Sequence, residues 1–370
     1  MSAHDPDPAL ARLVDQVAGA RAHGTPLDIR GGGTKRFYGE LPAGVPLDVR
    51  PLAGVTCYEP TELVVTARTG TPLRDLEAAL EEHGQCLPFE PPRFAPGGTV
   101  GGMVAAGLSG PARASVGSVR DHVLGVTLLN GLGEILTFGG QVTKNVAGYD
   151  VSRLMVGSLG ILGVICDVSL KVLPTSVATE TLSFDWDEAR ALEALSHWAA
   201  QPLPINASAW HAGLLRVRLA GARAAVEAAC QRLGGERLSG EGLGESAANA
   251  WWLSVRDQSA EFFVLGEKSL ARGEALWRLS VPAVTPALTL EGEQFIEWGG
   301  AQRWWRTSAQ PGAMRDAAAA AGGHATLIKG ADRSGVFAPL SAALMRTHQA
   351  LKQAFDPKRI FNPGRLYPGL

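Results

Sequence analysis

Three glycine-rich runs mark the first half of this 370-residue chain. The first, Arg30-Gly31-Gly32-Gly33-Thr34 with Lys35 after it, follows directly on a short strand pattern, Leu27-Asp28-Ile29. Consecutive glycines carry no Cβ, so their backbone N–H groups can approach an anion closely. Arg36 stands where the last glycine of G-x-G-x-x-G would fall, and no Gly-Lys-Ser/Thr follows. The run therefore matches neither a dinucleotide fingerprint nor a Walker loop. The second run, Pro96-Gly97-Gly98-Thr99-Val100-Gly101-Gly102, leads into Met103-Val104-Ala105-Ala106. It suits a loop feeding a short helix whose N-terminus faces a phosphate. The third, Gly157-Ser158-Leu159-Gly160-Ile161-Leu162-Gly163, places glycine every third residue just before the strand pattern Val164-Ile165. One stretch of backbone can then lie flat against a planar ligand. Singly, each run also reads as an ordinary turn or a tightly packed helix start. Three in half a chain call for one long ligand that bears phosphates.

Metal and cluster chemistry finds no matching pattern. None of the eight histidines forms His-x-His or His-x-x-x-His, and Cys57, Cys86, Cys166 and Cys230 lie too far apart for a C-x-x-C clip. Neither a zinc site nor an iron–sulfur cluster is encoded, and scattered thiols suit a reducing cytoplasm. A net charge of −2 without a basic run argues against nucleic acid and anionic membranes as partners. No apolar run approaches the roughly 20 residues of a membrane span, and the N-terminus has no signal-peptide core.

Periodicity supplies the elements that must position the loops. Residues 11–23 form a helical pattern, and strands are expected at 27–29, 47–52 and 62–69. Thr71-Pro72 reads as a helix cap followed by proline at the first helical position, with Gly84 as the stop. Asn130-Gly131 joins strands at 123–130 and 134–138 as a hairpin, and a strand from Val164 ends before Pro174. Beyond Pro174 the glycines thin out. Helices are expected at 187–200, 221–233 and 337–355, and strands near 178–185, 213–219, 261–266, 276–281, 293–298 and 324–329. That alternation predicts an α+β sandwich, with helices on one face of an antiparallel sheet. Residues 234–250 read as a surface loop, and no internal repeat stands out.

The order and spacing of the glycine runs resemble the FAD domain of the vanillyl-alcohol oxidase (PCMH-type) superfamily. Two longer runs narrow the resemblance: Lys144-Asn145-Val146-Ala147-Gly148-Tyr149-Asp150-Val151-Ser152-Arg153-Leu154-Met155-Val156-Gly157-Ser158-Leu159-Gly160, and the tail Phe355-Asp356-Pro357-Lys358-Arg359-Ile360-Phe361-Asn362-Pro363-Gly364-Arg365-Leu366. Both are similar to the FAD-binding (E) subunits of bacterial glycolate oxidase. The resemblance implies an α+β protein of PCMH type. Two small α/β subdomains over residues 1–174 would clasp FAD. A ferredoxin-like antiparallel cap over 175–335 would cover the flavin, and residues 336–370 would return to the FAD domain. By motif, Gly31, Gly32, Gly33, Thr34 and Lys35, with Gly97, Gly98, Thr99, Val100 and Gly101, would hold the pyrophosphate, and Arg30, Pro96, Gly157 and Val164 are expected to join the cofactor site. Ser109, Gly117, Asp121, Gly160, Gly163 and Ile165 would line the ribityl and adenine parts, and Asn362 would stand near the ring. Gly33-Thr34 occupies the place of the histidine that binds flavin covalently in some members, so the FAD is expected to be non-covalent.

The same resemblance implies a subunit of a complex that oxidises glycolate to glyoxylate. Its expected partners are a larger FAD-binding catalytic subunit and an iron–sulfur subunit, because no cluster ligands exist here. The expected location is cytoplasmic, with peripheral attachment to the inner membrane through those partners. Two rival readings stand beside it: a self-sufficient dehydrogenase of a small 2-hydroxy acid such as D-lactate, and an assembly subunit whose FAD does not turn over. Oxidation of a 2-hydroxy acid needs a base and a cation for the carboxylate. The candidates are Lys144, Tyr149, Arg303 and His324. Arg303 also reads as cation–π packing beside Trp304-Trp305, and His324 as a helix C-cap. For His211 a satisfied strand-end histidine is preferred to catalysis.

Overall fold

The computed structural model describes residues 7–140, 150–238 and 244–370. Helix α1 spans Pro8–His23, three residues longer at its start than expected, because Asp7 caps it by accepting from Ala9 N at 2.8 Å. Gly24 closes it in the left-handed region. Its Leu13 and Val17 pack on a small parallel pair, β1 (Leu27–Arg30) and β2 (Val45–Asp48). The tail adds a third edge to this pair, since Phe361 bridges Leu27 in parallel register. Ile360 and Phe361 are therefore core residues, not a frayed end.

A five-stranded antiparallel sheet follows. Strands β3 (Val55–Glu59), β4 (Val64–Arg68), β5 (Val123–Leu129), β6 (Ile135–Gly139) and β7 (Val164–Lys171) take the order β3-β4-β7-β5-β6. The β5–β6 hairpin turns at Asn130-Gly131, where Asn130 Oδ1 accepts from Leu132 N and Glu134 N, both at 2.9 Å. Helices α2 (Leu73–Glu81) and α3 (Val100–Ala106) pack on the sheet through Leu73, Leu76, Leu80, Met103 and Val104. Thr71 does not cap α2. Its hydroxyl instead clamps Gly54, accepting from the amide at 2.9 Å and donating to the carbonyl at 3.1 Å. Gly84 also lies beyond the helix end at Glu81.

The second half is one eight-stranded antiparallel sheet. It comprises β8 (Ala178–Asp185), helix α4 (Glu188–Ala199), β9 (Ile205–His211), β10 (Leu214–Gly221), helix α5 (Arg223–Leu233), β11 (Glu236–Arg237) and helix α6 (Gly244–Arg256). Strands β12 (Ala275–Ser280), β13 (Glu293–Glu297) and β14 (Gln302–Thr307), helix α7 (Pro311–Ala320) and strand β15 (His324–Lys329) complete it. The spatial order is β11-β8-β10-β9-β13-β14-β12-β15. It divides into two ferredoxin-like units of the same strand order, fourth-first-third-second, joined edge to edge where β9 pairs with β13. The second unit has no helix between its first two strands, which hides the repeat from the sequence.

Helices α4, α5 and α7 cover one face of this sheet. The opposite face packs on the first half through Tyr38, Ala106, Leu108 and Leu159. Helix α6 also lies on that side, with Trp252 Nε1 donating to Thr181 Oγ1 at 3.1 Å and Arg216 stacked under Trp251 at 4.4 Å. Helices therefore occupy both faces, and residues 244–250 belong to a helix, not a loop. Residues 261–266 were expected as a strand. Glu261–Phe263 is instead a single 3-10 turn that buries both Phe262 and Phe263 in the aromatic cluster. The adjacent Trp304 and Trp305 are opposed by the strand period, Trp304 facing the first half and Trp305 facing α7.

Helix α8 (Ala342–Phe355) leads back to the first half. Near its end Lys352 and Asp356 form a fully buried pair at 2.9 Å. Lys352 Nζ also donates to Ile161 O and Phe361 O, while Asp356 accepts from Ile360 N and Phe361 N. All these bonds hold the tail against the third glycine run.

Candidate functional site

The glycine loops meet main chain to main chain. A Cβ on Gly32 would stand 1.5 Å from Gly97 O, and one on Gly31 would stand 2.4 Å from Thr99 Oγ1. Gly101 is equally constrained, since its Cβ would lie 1.6 Å from Thr69 Oγ1. Only glycine lets β1, the second loop and β4 come this close. The third run closes the opposite wall, with Gly157 N and Leu159 N donating to Val104 O and Ala105 O of α3. Asn362 spans the gap between the walls. Its Oδ1 accepts from Ile29 N at 2.7 Å and its Nδ2 donates to Leu159 O at 2.6 Å. A Cβ on Gly160 would strike that amide at 2.7 Å.

These walls line a cleft that opens to solvent. Of the residues expected from sequence, Arg30, Gly31, Gly33, Thr34, Lys35, Thr99, Gly101, Gly160, Gly163, Ile165 and Asn362 line it. Gly32, Gly97 and Gly98 stand behind the lining, where Gly32 and Gly97 form the loop-to-loop contact. Pro96 also faces the far side of that loop. Val100 and Val164 are buried in hydrophobic clusters, and Gly157 turns the chain at φ 80°. Ser109, Gly117 and Asp121 form a separate turn: Ser109 Oγ accepts from Val119 N, and Asp121 caps Ser118. Asp28, Thr69, Ala105, Ala106, Leu159 and Arg365 line the cleft without having been singled out. Arg365 lay within the tail motif, but nothing in the sequence brought it beside residue 36.

The cleft is electropositive. Asp28 is its buried carboxylate and already pairs with Arg30 at 2.7 Å and Arg36 at 3.0 Å. Burial lowers Lys35 to about 8, against a smaller opposing pull from Asp257. Burial, then the neighbouring Arg333, lowers Arg365 to about 10. Arg365 is anchored by donating to the carbonyls of Tyr38 and Glu40. Both cations would gain from an anion here, and the two phosphates of a dinucleotide supply one. Glycine-walled backbone beside Ala105, Ala106 and Leu159 leaves an apolar slot for a flat ring.

A second polar group lies where the cap meets the first half. Glu297 on β13 is buried and accepts on Oε2 from Trp304 Nε1 at 2.6 Å and Gln302 Nε2 at 3.0 Å. Burial pushes its carboxyl up to about 7. Arg218 reaches across to Glu90 at 2.6 Å, and Glu90 also accepts from Ala112 N. Arg278 on β12 faces Tyr38, with Nη2 3.4 Å from the phenol oxygen. Arg113 stacks on Trp298 at 4.5 Å, and Trp298 Nε1 donates to Gly110 O.

Lys144 and Tyr149 lie outside the described residues. Arg303 points away from this interface. It is fully buried on the helix-covered face and donates to Gly300 O at 2.7 Å and Pro286 O at 3.2 Å, with Glu188 at 3.5 Å. These contacts fix the coil that stands in for the missing helix. His324 does not cap α7; it is the exposed first residue of β15, its pKa lowered by partial burial and then by Arg278. His211 is satisfied by Glu293 at 2.8 Å. Sequence reasoning missed Arg278 and Glu297, because single charged residues inside apolar strands carry no motif.

Residues 10–139 match the family described as an FAD binding domain. The glycolate oxidase subunit GlcE of Escherichia coli (strain K12) is 47% identical over 97% of this chain and 97% of its own. The D-lactate dehydrogenase of Anaerostipes hadrus is 33% identical over 39% of this chain and 30% of its own. The glycolate oxidase subunit GlcD of Bacillus subtilis (strain 168) is 31% identical over 43% of this chain and 34% of its own. Among solved structures, an alkyldihydroxyacetonephosphate synthase superposes with a TM-score of 0.66 at 16% identity, covering 95% of this chain and 75% of that one. That likeness shows the fold.

Proposed function

The chain belongs to the family of the glycolate oxidase subunit GlcE, and from that premise we propose that it is the FAD-binding subunit of a glycolate oxidase complex. Its cofactor is FAD, and it is an FAD-dependent oxidoreductase subunit. In the proposed reaction glycolate is oxidised to glyoxylate and the electrons pass to an iron–sulfur partner, beside a larger FAD-binding subunit. The observation that carries the reading is an electropositive, glycine-walled cleft in a chain alike to GlcE from end to end. FAD bound there would take up the two electrons released at the hydroxyl-bearing carbon. Arg30, Lys35 and Arg36 would neutralise its phosphates, and the backbone of Gly31, Gly101 and Gly160 would let it approach. Asn362 would fix the wall beside the ring. No side chain at the Gly33-Thr34 turn offers a covalent attachment, so the binding is non-covalent.

The same proposal divides the chain into an FAD-binding domain over 1–174, a cap over 175–335 and a returning segment over 336–370. It places the complex in the cytoplasm. No helix of the described residues is long and apolar enough to cross a membrane, so any membrane attachment would run through the partners. The direct test is an absorption spectrum of the purified chain, followed by glycolate oxidation with and without the partner subunits. Yellow protein that turns over only in the complex is the expected outcome. A colourless chain that gains no FAD on reconstitution overturns the reading.

A further inference from the structure

Two groups of opposite charge, Glu297 buried and Arg278 half-buried, face the first half from neighbouring parts of the cap sheet, and they do not pair with each other. Glu297 uses only Oε2, which takes both N–H donors; among the described residues Oε1 has no hydrogen-bond partner. Arg278 has a buried Nε without a partner and one long contact, to the Tyr38 hydroxyl. No carboxylate of the described residues lies within ion-pair distance of it. Glu90, another acid of this interface, is taken by Arg218 and the Ala112 amide. A buried unpartnered atom such as Arg278 Nε is rare in native proteins and asks for an explanation.

The surroundings of Arg278 make the missing partner an anion. Arg113 and His324, lowered first by burial and then by the charge of Arg278, are its titratable neighbours, and neither offers it a negative charge. The place abuts the cofactor cleft, since Tyr38 packs in one cluster with Ala106 and Leu159, which line it. Its carbonyl holds Arg365 of the cleft wall. Arg278 and Glu297 stand on one face of the sheet, since they pair with Trp304 and Gln302, two residues apart on β14.

We propose that Arg278 and Glu297 anchor a small 2-hydroxycarboxylate at the cap interface, beside the end of the cofactor cleft. This deepens the proposed oxidation of glycolate and rests on it. Arg278 donates to the carboxylate, Arg113 adds charge from the exposed rim, and Glu297 Oε1 accepts from the hydroxyl. A carboxylate that lacks the hydroxyl binds through the arginines alone.

The test is an anaerobic calorimetric titration of the FAD-loaded chain with glycolate and with acetate. The unaltered chain is expected to prefer glycolate. Loss of a charge-assisted bond in Arg278→Met weakens both ligands by about tenfold or more. Arg113→Ala, at an exposed site that carries little folding risk, weakens both by a few-fold, on the order of a rim charge. Glu297→Gln cuts the preference for glycolate over acetate by about fivefold, as a charged acceptor becomes neutral. Flavin content and melting temperature report folding in every variant. Unchanged binding of both ligands in a folded Arg278→Met chain overturns the inference. So does an unaltered chain that binds neither ligand while the assembled complex oxidises glycolate. A complex inert toward glycolate, with Arg278-dependent acetate binding in the chain, sinks the oxidase reading and keeps the carboxylate site.

Discussion

The cofactor cleft is walled by main chain, whereas the cap interface is walled by side chains rooted on a sheet. In the cleft, three loops and the tail approach within distances that exclude a Cβ, and polar recognition falls to backbone amides and a few arginines. At the interface the backbone is regular β-sheet, and chemistry depends on which side of a strand a residue falls. The contrast teaches that the cleft fails by steric intrusion and the interface by loss of charge. Gly32→Ala tests the first half of the contrast with the largest expected effect. A methyl 1.5 Å from Gly97 O forces two loops apart, which costs on the order of 5 kcal/mol. The variant should be recovered without FAD and melt far earlier in calorimetry. A variant that retains stoichiometric FAD would break the claim that the two loops form one wall.

Lys352→Met comes next and asks whether the tail belongs to the cleft. Removing the cation leaves Asp356 buried and unpaired, at about 4 kcal/mol. The loss should release Phe361 and Asn362 and weaken FAD along with stability. The double variant Lys352→Met with Asp356→Leu should recover much of the stability. If it melts normally yet still binds FAD poorly, the pair positions Asn362 and does more than hold the fold.

The contrast also explains what the sequence disclosed. The glycine runs of the cleft were visible because a close approach of backbones leaves no choice of residue, and the fold class followed from them and the tail motif. Thr71 was misassigned because a threonine before proline satisfies the capping pattern, while its real partner, Gly54, comes near only in the folded sheet. Residues 261–266 read as a strand because two adjacent phenylalanines give the apolar signal of one; a buried turn satisfies both rings equally. Helix α6 was hidden by the glycine, serine and glutamate before it, although Trp251 and Trp252 anchor it. Arg278 and Glu297 were invisible for a different reason. Their meaning lies in register, since β12 and β13 are separated by β14, and no spacing along the chain encodes that neighbourhood.

Glu297→Gln sharpens the interface half of the contrast through pH. The folded carboxyl titrates near 7, against about 4.5 when unfolded. A raised acid pKa means the folded protein holds the proton longer, so this group's favourable contribution is complete below pH 4.5 and declines as pH rises toward 7. The decline amounts to about 3 kcal/mol. Melting curves of the two proteins should run close together in acid, diverge between about pH 4.5 and 7 and stay apart above it, with the glutamine variant the more stable. Parallel curves from pH 5 to 8 would mean that Glu297 is ionised throughout.

The smallest effect is expected at His324. It opens β15 at the exposed edge of the sheet, and among the described residues no hydrogen bond fixes its ring. Partial burial, then the charge of Arg278, disfavours its protonated form. An exposed side chain with no partner contributes within about 0.5 kcal/mol, so His324→Ala should leave melting temperature and flavin content unchanged. Steady-state oxidation in the complex decides whether that bland outcome extends to turnover. If proton handling belongs to the buried face of the cap, turnover falls by less than twofold and its pH profile keeps its shape. A tenfold loss with intact folding would move the chemistry to the sheet edge and reverse the contrast.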